Sequence, residues 1–195
     1  MIKVGITGGI GSGKSLVCQV FSKLGTPIYY ADSAAKRLSE SDPGIRHNLA
    51  SLLGRDIYSG GLLNRTKMSA LIFNDISLLE KVNHIIHPKV AEDFLLWCRD
   101  KTHHAYVIQE SAILFESKVY MLFDKYVTVT SPEDVRIQRI LLRNEMTLDK
   151  IRTIINNQLS DPEKIARSHY VICNDGIKPI LPQILRLHRE LNKID

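Results

Sequence analysis

Residues 8–15 read Gly8-Gly9-Ile10-Gly11-Ser12-Gly13-Lys14-Ser15, a complete G-x-x-x-x-G-K-[ST] phosphate-binding loop. The glycines let successive backbone N–H groups converge on phosphate oxygens as an anion nest. Lys14 brings a point charge to the terminal phosphates. The Ser15 hydroxyl is a ligand for the Mg²⁺ that arrives with a nucleotide polyphosphate. Such a loop holds a phosphoryl donor. Transfer also requires a group to take or orient the acceptor's proton, and positive charge around the moving phosphoryl group.

Four further places offer those groups. Asp32, in Tyr29-Tyr30-Ala31-Asp32-Ser33, follows an apolar run; it reads as a base for an acceptor hydroxyl or as the N-cap of a helix from Ser33 to Leu38. Glu110, in Val107-Ile108-Gln109-Glu110-Ser111, reads as an acid that binds a water on Mg²⁺ or as a solvated loop carboxylate. Arg136, Arg139 and Arg143 are spaced to lie near one helix face. They read as a lid over the donor phosphates, or as a solvated basic face partnered by Glu133 and Glu145. His87 reads as a phosphate contact or as a histidine at a helix break. His84 and His87 lack a third ligand for a metal site.

The elements that must position these residues are legible as alternating patterns. Strand-like runs lie at Ile2–Ile6, Pro27–Tyr30, Ala105–Gln109, Lys125–Val129 and Tyr170–Cys173, with helical patterns between them. This predicts an α/β fold, a mostly parallel sheet with helices on both faces. Strand, glycine loop and helix around residues 2–24 is the context the phosphate loop demands, and the helix N-terminus adds partial positive charge. Carboxyl ends of parallel strands line one crevice, so Asp32 and Glu110 are expected on the loop's rim. Residues between Ala31 and His104 read as helix throughout, far more than the dozen or so a crossover needs. They predict a helical insert. Its stripe at residues 79, 82, 86, 90, 94 and 97 is interrupted by Pro88, which predicts a helix end or kink at His87–Pro88. Ser131-Pro132-Glu133-Asp134 reads as a Ser N-cap with Pro at N1, opening a helix to Arg143.

Composition excludes other classes. The chain has 195 residues, 44% hydrophobic and 24% charged, with no apolar stretch of membrane-spanning length. The N-terminus opens directly on a strand, and Cys18, Cys98 and Cys173 form neither a disulfide framework nor a zinc spacing. A reduced, cytoplasmic compartment is expected. The net charge of +5 comes without a long basic run or basic–aromatic interleaving, which favours a polyphosphate substrate over nucleic acid.

With these features in place, the chain closely resembles the dephospho-CoA kinase family, nearly end to end. The resemblance rests on Ile6-Thr7-Gly8 through Ser15, Ala31-Asp32, Leu62-Leu63-Asn64-Arg65, Ile86-His87-Pro88, Ile113-Leu114-Phe115-Glu116, Arg139 through Arg143, and Asn174-Asp175-Gly176. It implies a P-loop kinase of the nucleoside-monophosphate-kinase type: a three-layer core with a five-stranded parallel sheet, a helical substrate-binding insert and a lid. It divides the chain into a nucleotide-binding core at 1–31, 104–130 and 168–195, a CoA-side subdomain at 32–103 and a lid at 131–167. It implies ATP-dependent phosphorylation of the ribose 3′-hydroxyl of dephospho-CoA, the last step of CoA synthesis. Joined to the reading of the residues, it makes Asp32, Lys14 and Arg139 catalytic. It puts Gly9 through Ser15, Arg143, Asn174 and Gly176 at ATP, and Thr7, Asp32, Arg65, His87 and Leu114 at the acceptor. Mg²⁺ falls to Ser15, and to Glu110 through a water. The expected partners are ATP and dephospho-CoA, with neither nucleic acid nor membrane, for a monomer or weak homo-oligomer.

The chain departs from the family's pattern at four positions. Tyr30 replaces the first acid of Asp-Ala-Asp, and Ala112 replaces a Pro, which implies a freer loop before Phe115. Cys173 stands for an Asp beside the adenine loop, and Leu16 stands for a Thr. Two rivals are a P-loop kinase of another small metabolite or nucleotide, and a nucleotide-dependent switch. The insert and the His-Pro segment oppose the first, and the lack of Asn-Lys-x-Asp opposes a guanine-reading switch.

Overall fold

Strands that are buried on both faces read as near-continuous apolar runs, and that is how β1 (Ile2–Thr7) is built, with its last four residues buried. The computed structural model describes residues 1–73, 75–143 and 146–193, with the side chains of 118 and 119 left aside. Glu145, expected to partner the arginine stripe, lies outside the described residues. After β1 come α1 (Lys14–Lys23), β2 (Ile28–Tyr30), α2 (Ala31–Ser41), α3 (Pro43–Leu53), β3 (Tyr58–Ser59), β4 (Leu62–Leu63), α4 (Arg65–Ile72) and α5 (Ile76–Arg99). The chain continues with β5 (Tyr106–Glu110), β6 (Lys125–Thr130), α6 (Glu133–Leu142), α7 (Leu148–Asn156), α8 (Asp161–Ala166), β7 (Tyr170–Cys173) and α9 (Ile180–Leu191). They form two compact units, residues 1–30 with 98–195, and residues 31–97.

The first unit is a five-stranded sheet in the order β2-β5-β1-β6-β7, parallel throughout. Its register sets Ile6 beside Glu110, Tyr30 beside Glu110, Thr7 beside Thr128 and Thr130 beside Cys173. The carboxyl ends therefore share one rim, from which the phosphate loop, Glu110, Ser131 and Asn174 all emerge. Glu110 is the last residue of β5 rather than the first beyond it. Beneath the rim, Val4, Ile6, Ile108, Val127, Val129 and Ile172 join Val17, Cys18 and Phe21 of α1 and Ile184, Leu187 and Leu191 of α9 in one apolar core. Burial pushes the Cys18 thiol up, with the Glu110 carboxylate adding to it, so this cysteine is an inert core residue.

The second unit, residues 31–97, departs from the sequence reading at three places. The insert is not helical throughout: Tyr58–Ser59 and Leu62–Leu63 pair as an antiparallel hairpin. Gly60 and Gly61 at φ 57° and 83° make its two-residue turn, a conformation that favours Gly-Gly. No break occurs at His87–Pro88, and α5 runs from Ile76 to Arg99 with Pro88 inside. Pro88 has no N–H for the His84 carbonyl, a cost of about 3 kcal/mol in a helix interior. Val82, Ile86, Val90 and Phe94 are buried along the same face, and burial of each such side chain contributes roughly 1.5–3 kcal/mol. The buried stripe outweighs the proline. Lastly, α2 begins at Ala31, so Asp32 lies within its first turn rather than capping it.

A smaller shift affects the start of α6. The N-cap of α6 is Pro132, with φ −50° and ψ 143°, and makes no side-chain cap. Ser131 is buried and serves elsewhere. Glu133 and Asp134 occupy the first turn as expected, where the helix dipole favours acids.

Candidate active site

Strong local preferences build the phosphate loop. Lys14 is buried, and its Nζ donates to the carbonyls of Gly8 at 3.0 Å and Gly9 at 3.2 Å. Ser12 N–H closes a turn onto Gly9 O at 3.1 Å. Gly13 sits at φ 93°, and a side chain there would also collide with the Asn174 carboxamide. That carboxamide donates from Nδ2 to Ser12 O at 2.8 Å, while Asn174 N–H donates to Thr130 O at 2.8 Å. Asn174 thus braces the loop against the ends of β6 and β7. Ser15 is exposed at the mouth of α1, with its Oγ 3.5 Å from Glu110 Oε1.

The arginines divide sharply. Arg139 donates to Ser131 Oγ at 3.2 Å and to Asn174 O at 3.1 Å, which puts it in the brace. Arg136 is buried, and its guanidinium fills the space that a side chain at Gly9 would need. It lies 3.8 Å from Asp161 Oδ1 and 3.9 Å from Glu133 Oε2. Arg143 ends α6, exposed. The stripe is thus one arginine over the loop, one behind it and one in solvent. Three buried polar atoms around the loop make no hydrogen bond within the protein: Ser12 Oγ, Arg136 Nε and Asp161 Oδ1. Beside them is a cavity of about 720 Å³, lined among others by Pro132, Arg136, Gln158, Asp161, Cys173 and Asp175.

The loop after β7 is shaped by Asp175. Its Oδ1 accepts from Ile177 N at 2.9 Å and Lys178 N at 2.8 Å, and its Oδ2 accepts from Cys173 Sγ at 3.2 Å. These donors, the two backbone N–H groups foremost, hold its carboxyl down at about 2. Cys173 has its own N–H and C=O paired with the Gln183 carboxamide. Gly176 follows, exposed.

Two residues expected at the acceptor face inward in this unit. Leu114 is fully buried, and its side chain fills the space beside Gly5, so it serves the core. Thr7 is fully buried too, its Oγ1 3.5 Å from Ala112 O. The segment at Ala112 is tied despite the missing proline, because Lys164 Nζ donates to Ala112 O at 3.1 Å.

In the 31–97 unit, Asp32 is exposed on α2 and acts electrostatically on His87 of α5. Burial holds the His87 imidazole below its ordinary range and His84 adds to this, while the Asp32 carboxylate opposes both. Arg65 follows the N-cap Asn64 of α4 and pairs with Glu40 at 2.7 Å and Lys36 O at 3.3 Å, which pins α4 to α2. Among the described residues, no three His, Cys, Asp or Glu side chains gather as a metal cluster.

Sequence reasoning missed Gln158, Asp161 and Lys164, and quoted Glu116 only within a segment that carries the resemblance, without a role. Asp161 reads as an ordinary first-turn acid behind a Ser160 capping box, and Lys164 as a surface lysine. Only the Arg136 position in the stripe carried a signal, and spacing alone did not separate it from Arg143.

Comparison with known proteins agrees with this geometry. A dephospho-CoA kinase of Bacteroides fragilis is 42% identical over 95% of this chain and 91% of its own. A solved Thermus thermophilus structure superposes with TM-score 0.82 at 26% identity, covering 97% of this chain and 95% of that one. A dephospho-CoA kinase structure from Campylobacter jejuni shares the fold, with TM-score 0.70 at 20% identity over 98% and 97% of the two chains. The family model for dephospho-CoA kinase matches residues 2–179, and the chain belongs to the dephospho-CoA kinase family.

Proposed function

We propose that this chain carries out its family's reaction. The donor ATP lies on Gly9 through Ser15, and the acceptor is the ribose 3′-hydroxyl of dephospho-CoA. The observation that carries this reading is the phosphate loop itself, whose ammonium at Lys14 is drawn onto the loop's own carbonyls and whose neighbours Ser12 and Arg136 hold buried polar atoms without internal partners. Hydroxyl and guanidinium donors of that kind suit phosphate oxygens. Lys14 and Arg136 offset charge that builds on the transferring group. Arg139 and Asn174 keep the loop in shape, with Asn174, Gly176 and the neighbouring cavity on the adenine side.

Asp32 acts as the base or orienting group for the 3′-hydroxyl. Support comes from its exposure, from its place two residues beyond the end of β2, and from the Ala31-Asp32 match to the family. His87 and Arg65 contribute positive or hydrogen-bonding groups to the acceptor, the 31–97 unit serves as the CoA-side subdomain, and residues 131–167 serve as the lid.

Mg²⁺ fits the donor set. Ser15 Oγ and Glu110 Oε1 are hard oxygens 3.5 Å apart, and Mg²⁺ needs only one or two protein oxygens when water and phosphate supply the rest. When bound, it neutralises charge on the donor's phosphates. We assign a cytoplasmic location and a monomer or weak homo-oligomer. No described helix is long and apolar enough to cross a membrane, and Cys18 and Cys98 are free and buried.

The test is phosphoryl transfer from ATP to dephospho-CoA, with the product read by ³¹P NMR for a 3′-phosphate. Nucleoside monophosphates and shikimate are offered in parallel. Faster transfer to either would move the acceptor reading to the rival metabolite kinase.

A further inference from the structure

Gln158, a residue that no motif singles out, holds the phosphate loop from outside. It lies half-buried in the turn between α7 and α8, and its Oε1 accepts from Ile10 N–H at 2.9 Å. That N–H and the Gly9 carbonyl belong to one peptide unit. The carbonyl accepts from Lys14 Nζ at 3.2 Å and from Ser12 N–H at 3.1 Å. A peptide unit is planar and turns as one body, so fixing its N–H fixes the direction of its C=O. Gln158 therefore governs where the carbonyl partner of the Lys14 ammonium points.

The turn that carries Gln158 is anchored in its own right. The next residue, Leu159, donates its N–H to Glu116 Oε1 at 2.9 Å. Glu116 takes an ion pair from Lys164 Nζ at 3.1 Å, and Lys164 is fully buried, also donating to Ala112 O at 3.1 Å. A buried ammonium is tolerated only with its partners in place, so this pair fixes the turn firmly.

We propose that Gln158 is a positioning residue for phosphoryl transfer: its carboxamide clamps the Gly9–Ile10 peptide and so sets the place of Lys14, while the Lys164–Glu116 pair sets the place of the clamp. The proposal rests on the kinase reading of the phosphate loop. Gln158 acts through the peptide and need not touch ATP.

The test uses the full chain with Gln158→Leu and Gln158→Glu, steady-state kinetics in each substrate, and hydrogen exchange at the Ile10 amide by NMR. Gln158→Leu removes the acceptor. The expected result is a kcat lower by about two- to tenfold, the net worth of one hydrogen bond, an unchanged KM for dephospho-CoA and faster exchange at Ile10. Gln158→Glu restores an acceptor but adds a negative charge beside the donor's phosphates. It should regain part of the lost kcat and the Ile10 protection while raising the ATP KM, the rise shrinking with added salt. Lys164→Met should lower kcat in the same direction, and combined with Gln158→Leu the loss should be less than additive. Should Lys164→Met fail to fold, Glu116→Gln takes its place in the cycle.

An unchanged kcat in Gln158→Leu, unchanged Ile10 exchange, or equal effects of Leu and Glu on kcat and both KM values would overturn the clamp. A strictly additive double variant would overturn the role of the Lys164–Glu116 pair. If the unsubstituted chain does not phosphorylate dephospho-CoA, the acceptor reading falls. The clamp is then still decided by Ile10 exchange and by ATP affinity in the two Gln158 variants.

Discussion

The rim of the sheet and the 31–97 unit hold their candidate residues by different physics. At the rim, side chains reach across long stretches of sequence to bond backbone atoms: Asn174 to Ser12, Gln158 to Ile10, Lys164 to Ala112. These bonds are partly buried, where a lost partner leaves a partly desolvated group and adds a penalty. In the 31–97 unit the side-chain ties include ion pairs with wet members. Arg65–Glu40 has side chains 38% and 34% exposed, and such pairs contribute roughly 0–1 kcal/mol. Lys67–Asp56 is wetter still. The rim is thus stiffly braced, whereas the ion-pair ties of the 31–97 unit are adjustable and sensitive to salt.

Substitutions can break or sharpen this contrast. The largest expected effect is at Asp32. Asp32→Asn should cut turnover about 10²–10⁴-fold, the worth of a general base, while isothermal calorimetry finds ATP binding intact. Turnover near that of the unsubstituted chain would remove Asp32 from the chemistry. Gly13→Ala comes next. The positive φ and the collision with Asn174 should together cost about 1–3 kcal/mol in chemical denaturation and weaken ATP binding. A chain that accepts this change without loss would show that the rim is not stiff. Asn174→Ala should cost about 1 kcal/mol through the orphaned Ser12 carbonyl, and raise the ATP KM without moving the KM for dephospho-CoA.

Arg65→Met probes the softer side. Its stability loss should stay under about 1 kcal/mol and vanish at high salt. A selective rise in the KM for dephospho-CoA would separate an acceptor role from the Glu40 pairing. The smallest effect concerns pH. The folded His87 value lies below the ordinary 6.5, so between the two the unfolded chain holds the extra proton. The stability tied to a neutral His87 is therefore present above about 6.5 and lost as pH falls through the depressed folded value. His87→Gln should flatten the acid limb of a melting-temperature profile. An unchanged limb would assign that acid sensitivity to other groups.

The parts of the molecule governed by local rules were readable in the chain. The loop needs Gly13 and Lys14 at fixed spacing, and β1, β5 and β6 need apolar runs, so sequence pattern locates both. Interactions between distant segments were not. Arg136, Arg139 and Arg143 look alike along one helix, and only packing against Gly9 and Asn174 assigns them different work. Nothing near Gln158 marks it, because its partner is a backbone amide far away in sequence. Pro88 misled for the opposite reason: the local penalty was read correctly, but the buried face of α5 overrides it. The hairpin at residues 58–63 was missed because strands of two residues have almost no period to read, although Gly60-Gly61 is a turn signal in itself.

The sheet order carries a consequence for how the molecule is made. β1 leaves the ribosome long before its two neighbours, β5 and β6, which begin at residues 106 and 125. Until those segments are synthesised, the strand that launches the phosphate loop has no partner for its backbone. Residues 31–97 are contiguous, so they can condense on near-neighbour contacts while β1 waits. Nucleotide-binding competence should then appear late in refolding, in a step slower than helix formation. Chaperone demand should peak while β1 is exposed and unpaired, as a short apolar edge open to pairing with other chains.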